Sequence, residues 1–344
     1  AFMFVSASLG VLAKNKQIFY GLLFSQLVLG LGFGFIGMYI TYKIDYNIWK
    51  KCAPYIFVFG LLATLAVFIP TFGWSHGGAD RWIKLGPVSF QPVEILKFSF
   101  IIFFAMWLSM VKNKVEKIKF GILPLMILLS IIGVILLNQP DTKSFILMTI
   151  TGLGMLFIAG VPLKQIISVI AIMGLVMTLL VFTTPYLQKR VDTFLNPAND
   201  ARGSSWQVQQ SQLAIGTGGI LGRGYGQSIQ KFTYLPEPQG DSVFAVVGEE
   251  FGFIGSVILI LLYAFLGMRG LRIAYKSRDQ WSRLLVAGIV IMVVAQSFMH
   301  IAAVVGVFPL TGVPLVFMSH GGTSLMIYLS MMGIILQISK FQKA

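Results

Sequence analysis

Long apolar runs separated by short polar ones dominate the chain, at about 17–40, 49–72, 92–111, 120–137, 143–160, 163–184, 242–266, 281–308 and 313–340. Each has the length an α-helix rising about 1.5 Å per residue needs to cross a hydrocarbon core of about 30 Å. Residues 1–9 are apolar too but reach only about halfway across such a core, and since the chain opens on Ala1 they read as a first helix cut short. Connections such as 138–143 and 160–164 are so brief that the helices they join must pack antiparallel. The pattern therefore predicts an all-α polytopic membrane protein: a ten-transmembrane-helix bundle, its first helix truncated, forming one transmembrane domain over 1–344. A single large loop, 185–241, interrupts it.

Composition agrees: 56% of residues are hydrophobic, 11% are charged, and the mean hydropathy is +0.83, which excludes an ordinary soluble domain. A net charge of +14 would suggest nucleic acid in a soluble protein. Here its placement decides otherwise. Segments 41–51, 112–119, Lys164, 267–283 and 340–344 fall on one side and carry 15 of the 26 Lys and Arg residues, whereas the opposite side carries 9 of the 12 acids. The basic side is cytoplasmic by the positive-inside rule, and the loop at 185–241 is extracytoplasmic. The basic excess is a topology signal and an attraction to anionic membrane lipid, with no nucleic-acid partner implied. Cys52 is the sole cysteine, which excludes an intramolecular disulfide and a CxxC metal site.

The loop is too long for a passive linker, so order and function are expected of it. Within it, 206–215 (WQVQQSQLAI) spaces Trp206, Gln210 and Leu213 as a helix with a mixed face, which fits one lying along the membrane surface. Asp241 ends the turn-rich LPEPQG stretch and precedes an apolar span. It reads as a helix N-cap or as a general base, with Glu237 as a second carboxylate nearby. Glu249 and Glu250 lie about two turns into that span, so at least one must face a partner or a wet cavity. Glu94 and Lys97 sit at i, i+3 with the acid first, a favourable pairing on one helix face, and Asp141 at the start of a span reads as a cap. Six glycines crowd GTGGILGRGYG (216–226). With no strand before them a dinucleotide loop is excluded, leaving two readings: backbone amides that cradle a diphosphate beside Arg223, or tight turns and close packing. His300 and His320 lack metal-ligand neighbours in sequence and read as polar groups bonded inside the bundle. The small polar stretch FMSHGGTS (317–324), with Ser319, breaks the last span and must be buried or line a cavity.

Five stretches together resemble the SEDS family, the RodA- and FtsW-like proteins: FVSAS (4–8), GADRWIKLGPVSFQPVEILK (78–97), QPD (139–141), the run GSSWQVQQ…GEEFGFIG (203–255) and PLTGVPLVFMSHGGTS (309–324). KFTYLPE and GEE look more like the FtsW-like division branch than the elongation branch. The resemblance implies a peptidoglycan glycosyltransferase of the bacterial cytoplasmic membrane that polymerises lipid II, the undecaprenyl-diphosphate-linked disaccharide, on its outer face beside a class B penicillin-binding protein transpeptidase. A lipid II flippase and a non-catalytic scaffold for the transpeptidase are the rival functions. The family's essential aspartate follows LPE and is Asp241 here. Glu94, Lys97 and Asp141 match polar residues lining the family's central cavity. Arg202, Arg223 and Lys231 are candidate diphosphate contacts, Glu237 and Ser319 candidate substrate contacts, and Mg²⁺ or Mn²⁺ a candidate cofactor without assigned ligands; no organic cofactor is expected. The chain departs from the family pattern at Gln239-Gly240 (usually His-Thr), Val93 (Ser), His320 (Tyr) and His300 (Asn).

Overall fold

The computed structural model describes residues 2–70, 73–76, 79–85, 88–196, 204–310 and 312–342. The apolar runs become helices in chain order: α1 (Phe2–Lys14), α2 (Lys16–Leu23), a π-helical segment (Phe24–Gly32), α3 (Phe33–Lys43), α4 (Tyr46–Leu65), α5 (Pro92–Met110), α6 (Ile122–Asn138), α7 (Thr142–Ala159) and α8 (Leu163–Thr183). There follow α9 (Pro185–Leu195), α10 (Ser204–Gly218), the short α11 (Gln230–Thr233), α12 (Val243–Tyr275), α13 (Gln280–Val305) and α14 (Gly322–Ser339). Among the described residues eight helices are long and apolar enough to cross a membrane, and Phe2–Ala13 and Ile122–Asn138 are shorter apolar helices. The protein is a helical, multi-pass membrane protein.

The structure departs from the sequence reading between α4 and α5 and before the last span, and it bears out the helix expected over 206–215. An antiparallel meander of β1 (Gly73–His76), β2 (Ala79–Leu85) and β3 (Val88–Phe90) fills the connection between α4 and α5, so the protein is not wholly helical. The predicted loop at 185–241 contains three helices, and α10 covers the 206–215 segment with Trp206 and Leu213 exposed while Gln210 is buried. The last span begins at Gly322 rather than 313, because Gly312 and Gly321 take positive φ and the backbone between them is held by side chains of other elements. Gln296 donates to the Pro314 carbonyl, Tyr263 to that of Val316, and the His300 ring bonds that of Val313. Such irregular backbone survives at membrane depth only when protein satisfies it.

The chain forms two compact units. One comprises Ala1–Val28, Ile170–Phe265 and Gln296–Gly322. Its core gathers Ala7 of α1, Ala214 of α10, Val243, Phe244 and Tyr263 of α12, Ile301 and Val304 of α13, and Leu315. The other comprises Leu29–Val169, Leu266–Ala295 and Thr323–Ala344. Small residues set its packing: Gly60 brings α4 against Ser99 of α5, and Gly288 brings α13 against Ile101 of α5 and Met155 of α7. Close approach of this kind drives helix association where lipid removes the hydrophobic force.

Candidate functional site

Asp241 lies between a tight turn and the start of α12. Gly240 N–H donates to the Glu237 carbonyl at 2.9 Å, closing the turn, and Glu237 itself adopts positive φ (45°). The helix starts at Val243, and the Ser242 carbonyl accepts from Ala245 N at 3.0 Å and Val246 N at 3.4 Å. Ser242 therefore holds the cap position. Its hydroxyl donates to the Pro236 carbonyl at 2.9 Å and accepts from Gln207 of α10 at 3.1 Å. This corrects the reading of Asp241 as the cap. Its carboxylate is partly exposed, and among the described residues none hydrogen-bonds it. Glu237 is exposed on the same turn, where its carboxylate accepts from Gln239 Nε2 at 3.1 Å.

The segment before α14 fixes this turn from one side. Ser319 Oγ donates to the Gly240 carbonyl at 2.7 Å and accepts from Leu315 N at 2.9 Å, while His320 N donates to the Gln239 carbonyl at 2.7 Å. Ser319 is thus a buried backbone support for the residue preceding Asp241, not a side chain offered to a substrate. The His320 ring stacks on Phe4 with centroids 6.0 Å apart. His300 of α13 is buried with Nδ1 2.6 Å from the Val313 carbonyl, which makes Nδ1 the protonated nitrogen.

The glycine-rich segment has a different task from cradling phosphate. Helix α12 breaks at Gly252 (φ 63°, ψ −161°), a backbone region open essentially to glycine alone. Across the break, Arg223 N and Gly224 N donate to the carbonyls of Glu249 and Glu250 at 3.0 and 2.9 Å. In turn, Phe253 N and Ile254 N donate to the carbonyls of Gly219 and Ile220 at 2.8 and 3.2 Å. The loop supplies both halves of the missing helical ladder, and a Cβ on Gly222 would strike the Glu250 carbonyl. The amides of Gly222, Arg223 and Gly224 are thereby bonded within the protein, which favours the close-packing reading of the run.

Both acids at 249–250 are buried and satisfied within the protein. Glu250 lies 2.6 Å from Lys231 Nζ and accepts from Ser6 of α1 at 2.7 Å, while Lys231 also donates to Ser6 Oγ at 3.0 Å. Glu249 accepts from Ser228 Oγ at 2.6 Å and Ile229 N at 3.0 Å, with Arg223 Nε at 3.5 Å. Lys231, a candidate diphosphate contact by its sequence, is instead one half of a buried ion pair. The Arg223 side chain remains 35% exposed beside Glu249, and Arg202 lies outside the described residues.

In the second unit Glu94 and Lys97 form the expected pair, 2.7 Å apart and buried, and Lys97 also donates to Tyr328 of α14 at 3.1 Å. Asp141 is the N-cap of α7, accepting from Ser144 N at 3.3 Å and Ser144 Oγ at 2.9 Å. Arg81 of β2 holds the preceding turn by donating to the carbonyls of Gln139 and Pro140. These residues and Asp241 belong to different units, each with its own polar cluster.

Sequence reasoning passed over Gln26, Ser6, Ser242 and Tyr328. The available signal for Gln26 was a lone amide inside an apolar run, which lipid makes costly without a partner. Among the described residues no group of three or more His, Cys, Asp or Glu is placed to hold a metal ion.

Fold and site together define a multi-pass membrane protein that presents a partly exposed aspartate at the start of a long helix. The chain belongs to the FtsW/RodA/SpoVE family of cell cycle proteins, whose model matches residues 1–344. It is 37% identical over 341 residues to a probable peptidoglycan glycosyltransferase FtsW of Geobacter sp. (strain M18), covering 98% of this chain and 92% of that one. It is 36% identical over 314 residues to stage V sporulation protein E of Bacillus subtilis (strain 168), covering 91% and 85%. Among solved structures, a chain from work on the coordination of polymerization and crosslinking by a peptidoglycan synthase complex superposes with a TM-score of 0.80 at 25% identity, covering 98% and 94%. The rod shape determining protein RodA of Thermus thermophilus shares the fold, with a TM-score of 0.71 at 22% identity over 99% and 94% of the two chains.

Proposed function

We propose that this chain is a peptidoglycan glycosyltransferase that polymerises lipid II on the outer face of the cytoplasmic membrane, with Asp241 as general base. Its relatives named peptidoglycan glycosyltransferase FtsW support the activity across nearly the whole chain. The observation that carries the residue assignment is the unbonded state of the Asp241 carboxylate among the described residues, at a turn whose backbone is bonded on both sides. A base must reach the proton it removes, and a carboxylate committed to capping would not. As the acceptor sugar's 4-hydroxyl oxygen bonds to the anomeric carbon of the donor, Asp241 takes the hydroxyl proton and the bond to the lipid diphosphate breaks. Arg223, with its partly exposed guanidinium, is the remaining described candidate for contacting that diphosphate.

A divalent cation, Mg²⁺ or Mn²⁺, would supply positive charge at the leaving group. Such ions take most of their ligands from phosphate and water, so one or two protein carboxylates suffice, and Glu237 and Asp241 are those on this turn. We take α1 and α6 as spans beside the eight longer helices, a ten-span reading under which the distribution of basic residues assigns 185–241 to the outer side. A class B penicillin-binding protein is the proposed partner, in line with the peptidoglycan synthase complex that this chain resembles. The flippase reading drew on charges at Glu94, Lys97, Glu249 and Glu250, all of which are paired inside the protein.

The test is polymerisation of purified lipid II by the protein with its transpeptidase partner. Replacing Asp241 by Asn is expected to lower the rate by about 10²–10⁴-fold. Full activity in that variant would exclude Asp241 as the base.

A further inference from the structure

We propose that Gln26 is a positioning residue for Asp241, acting through the backbone of 319–321; the inference rests on the reading of Asp241 as general base. Gln26 sits in the π-helical segment Phe24–Gly32, a geometry that recurs at functional sites because its wider turn redirects side chains. It is 1% exposed, and its amide engages one peptide segment at both ends. Nε2 donates to the Ser319 carbonyl at 3.1 Å, and Oε1 accepts from Gly321 N at 3.0 Å. The segment so gripped bonds the two residues before Asp241, through Ser319 Oγ to Gly240 and His320 N to Gln239, each at 2.7 Å.

Ser25 of the same π-helical segment is packed so close that a Cβ on Gly322 would strike its carbonyl. The path therefore runs from Gln26 to 319–321, then to 239–240, and ends one peptide bond from Asp241. Because no described residue hydrogen-bonds the Asp241 carboxylate, its place is set by the backbone that carries it. A displacement of about 1 Å at a reacting group costs about 10²-fold in rate, so a grip on that backbone acts on turnover. A packing role alone would affect the amount of folded protein and leave turnover of the folded fraction intact.

The experiment measures kcat and KM for lipid II polymerisation by the chain with its partner, for Gln26→Met, Ser319→Ala and the double variant, alongside hydrogen exchange of the 236–242 segment. Gln26→Met is expected to lower kcat by about 10–100-fold with KM within about twofold, and to speed exchange at 236–242. Ser319→Ala should act in the same direction. The double variant should lose little more than Gln26→Met alone, since both cut one path. Unchanged kcat in the folded variants, losses that multiply as independent effects, or unchanged exchange at 236–242 overturns the proposal. If Gln26→Met does not fold, Ser319→Ala with its exchange measurement decides alone. Retained polymerisation in Asp241→Asn removes the underlying reading instead, whereas an inactive Asp241→Asn beside a fully active Gln26→Met removes only this inference.

Discussion

Lys231 and Glu250 lie 2.6 Å apart with neither side chain exposed, and Ser6 of the first helix bonds both. Removing one member of a buried pair strands the other charge, so Lys231→Met is expected to cost about 3–5 kcal/mol of stability. Joint replacement with Glu250→Leu should cost less than either single change. Thermal unfolding in detergent measures the cycle. A raised KM for lipid II at unchanged unfolding temperature would mark Lys231 as a substrate contact instead.

The separation of cap from base makes a second prediction. Ser242→Ala deletes two hydroxyl hydrogen bonds, to Pro236 and from Gln207, and is expected to destabilise by about 1–3 kcal/mol. Asp241→Asn, whose side chain lacks a described hydrogen-bond partner, should stay within about 0.5 kcal/mol of the parent while losing polymerisation. Melting curves of the two variants, set beside their activities, should therefore diverge in opposite senses.

Gly252→Ala is expected to be among the most damaging single-methyl changes in the chain. The positive φ alone costs on the order of 1–3 kcal/mol. The new Cβ would also meet Gly222 N and the Ile220 carbonyl, and backbone cannot swing aside as a side-chain end can. Yield of monodisperse protein and its unfolding temperature are the readouts, with Gly216→Ala, where a Cβ meets open space, as the comparison expected to behave like the parent.

In the second unit, Lys97→Met should cost about 3–5 kcal/mol by leaving Glu94 buried without its cation. Tyr328→Phe removes the hydrogen bond that the charged Lys97 donates to its hydroxyl, an interaction worth about 1.5–3 kcal/mol. Unfolding temperatures in the order parent, Tyr328→Phe, Lys97→Met would support the cluster as described, and the reverse order would contradict it.

Span positions were legible because lipid imposes a length and a polarity on every crossing helix, and α5, α7 and α8 fall within two residues of their expected ends. The i, i+3 spacing of Glu94 and Lys97 likewise foretold their pairing, since helix geometry alone brings them together. What sequence could not show depends on contacts between distant segments. Nothing near Lys231 in the chain announces Ser6 or Glu250, and residue type does not separate Asp from Ser as a cap, so the sequence leaves open for Asp241 a role that Ser242 holds. The glycine run allowed two uses, and only the break at Gly252 distinguishes them, because a turn missing from a helix thirty residues downstream leaves no mark on the run itself.

That break also bears on how the chain is made. Until residues 219–224 are in place, α12 has two carbonyls and two amides unpaired in mid-helix, and a span in that state enters lipid at a cost of several kcal/mol per group. The loop is synthesised first and lies nearby in sequence, so it can dock as the helix emerges. Insertion of α12 and folding of the segment before it are thus expected to be one event, and a chain that fails to fold its glycine-rich turn should fail to seat this helix in the membrane at all.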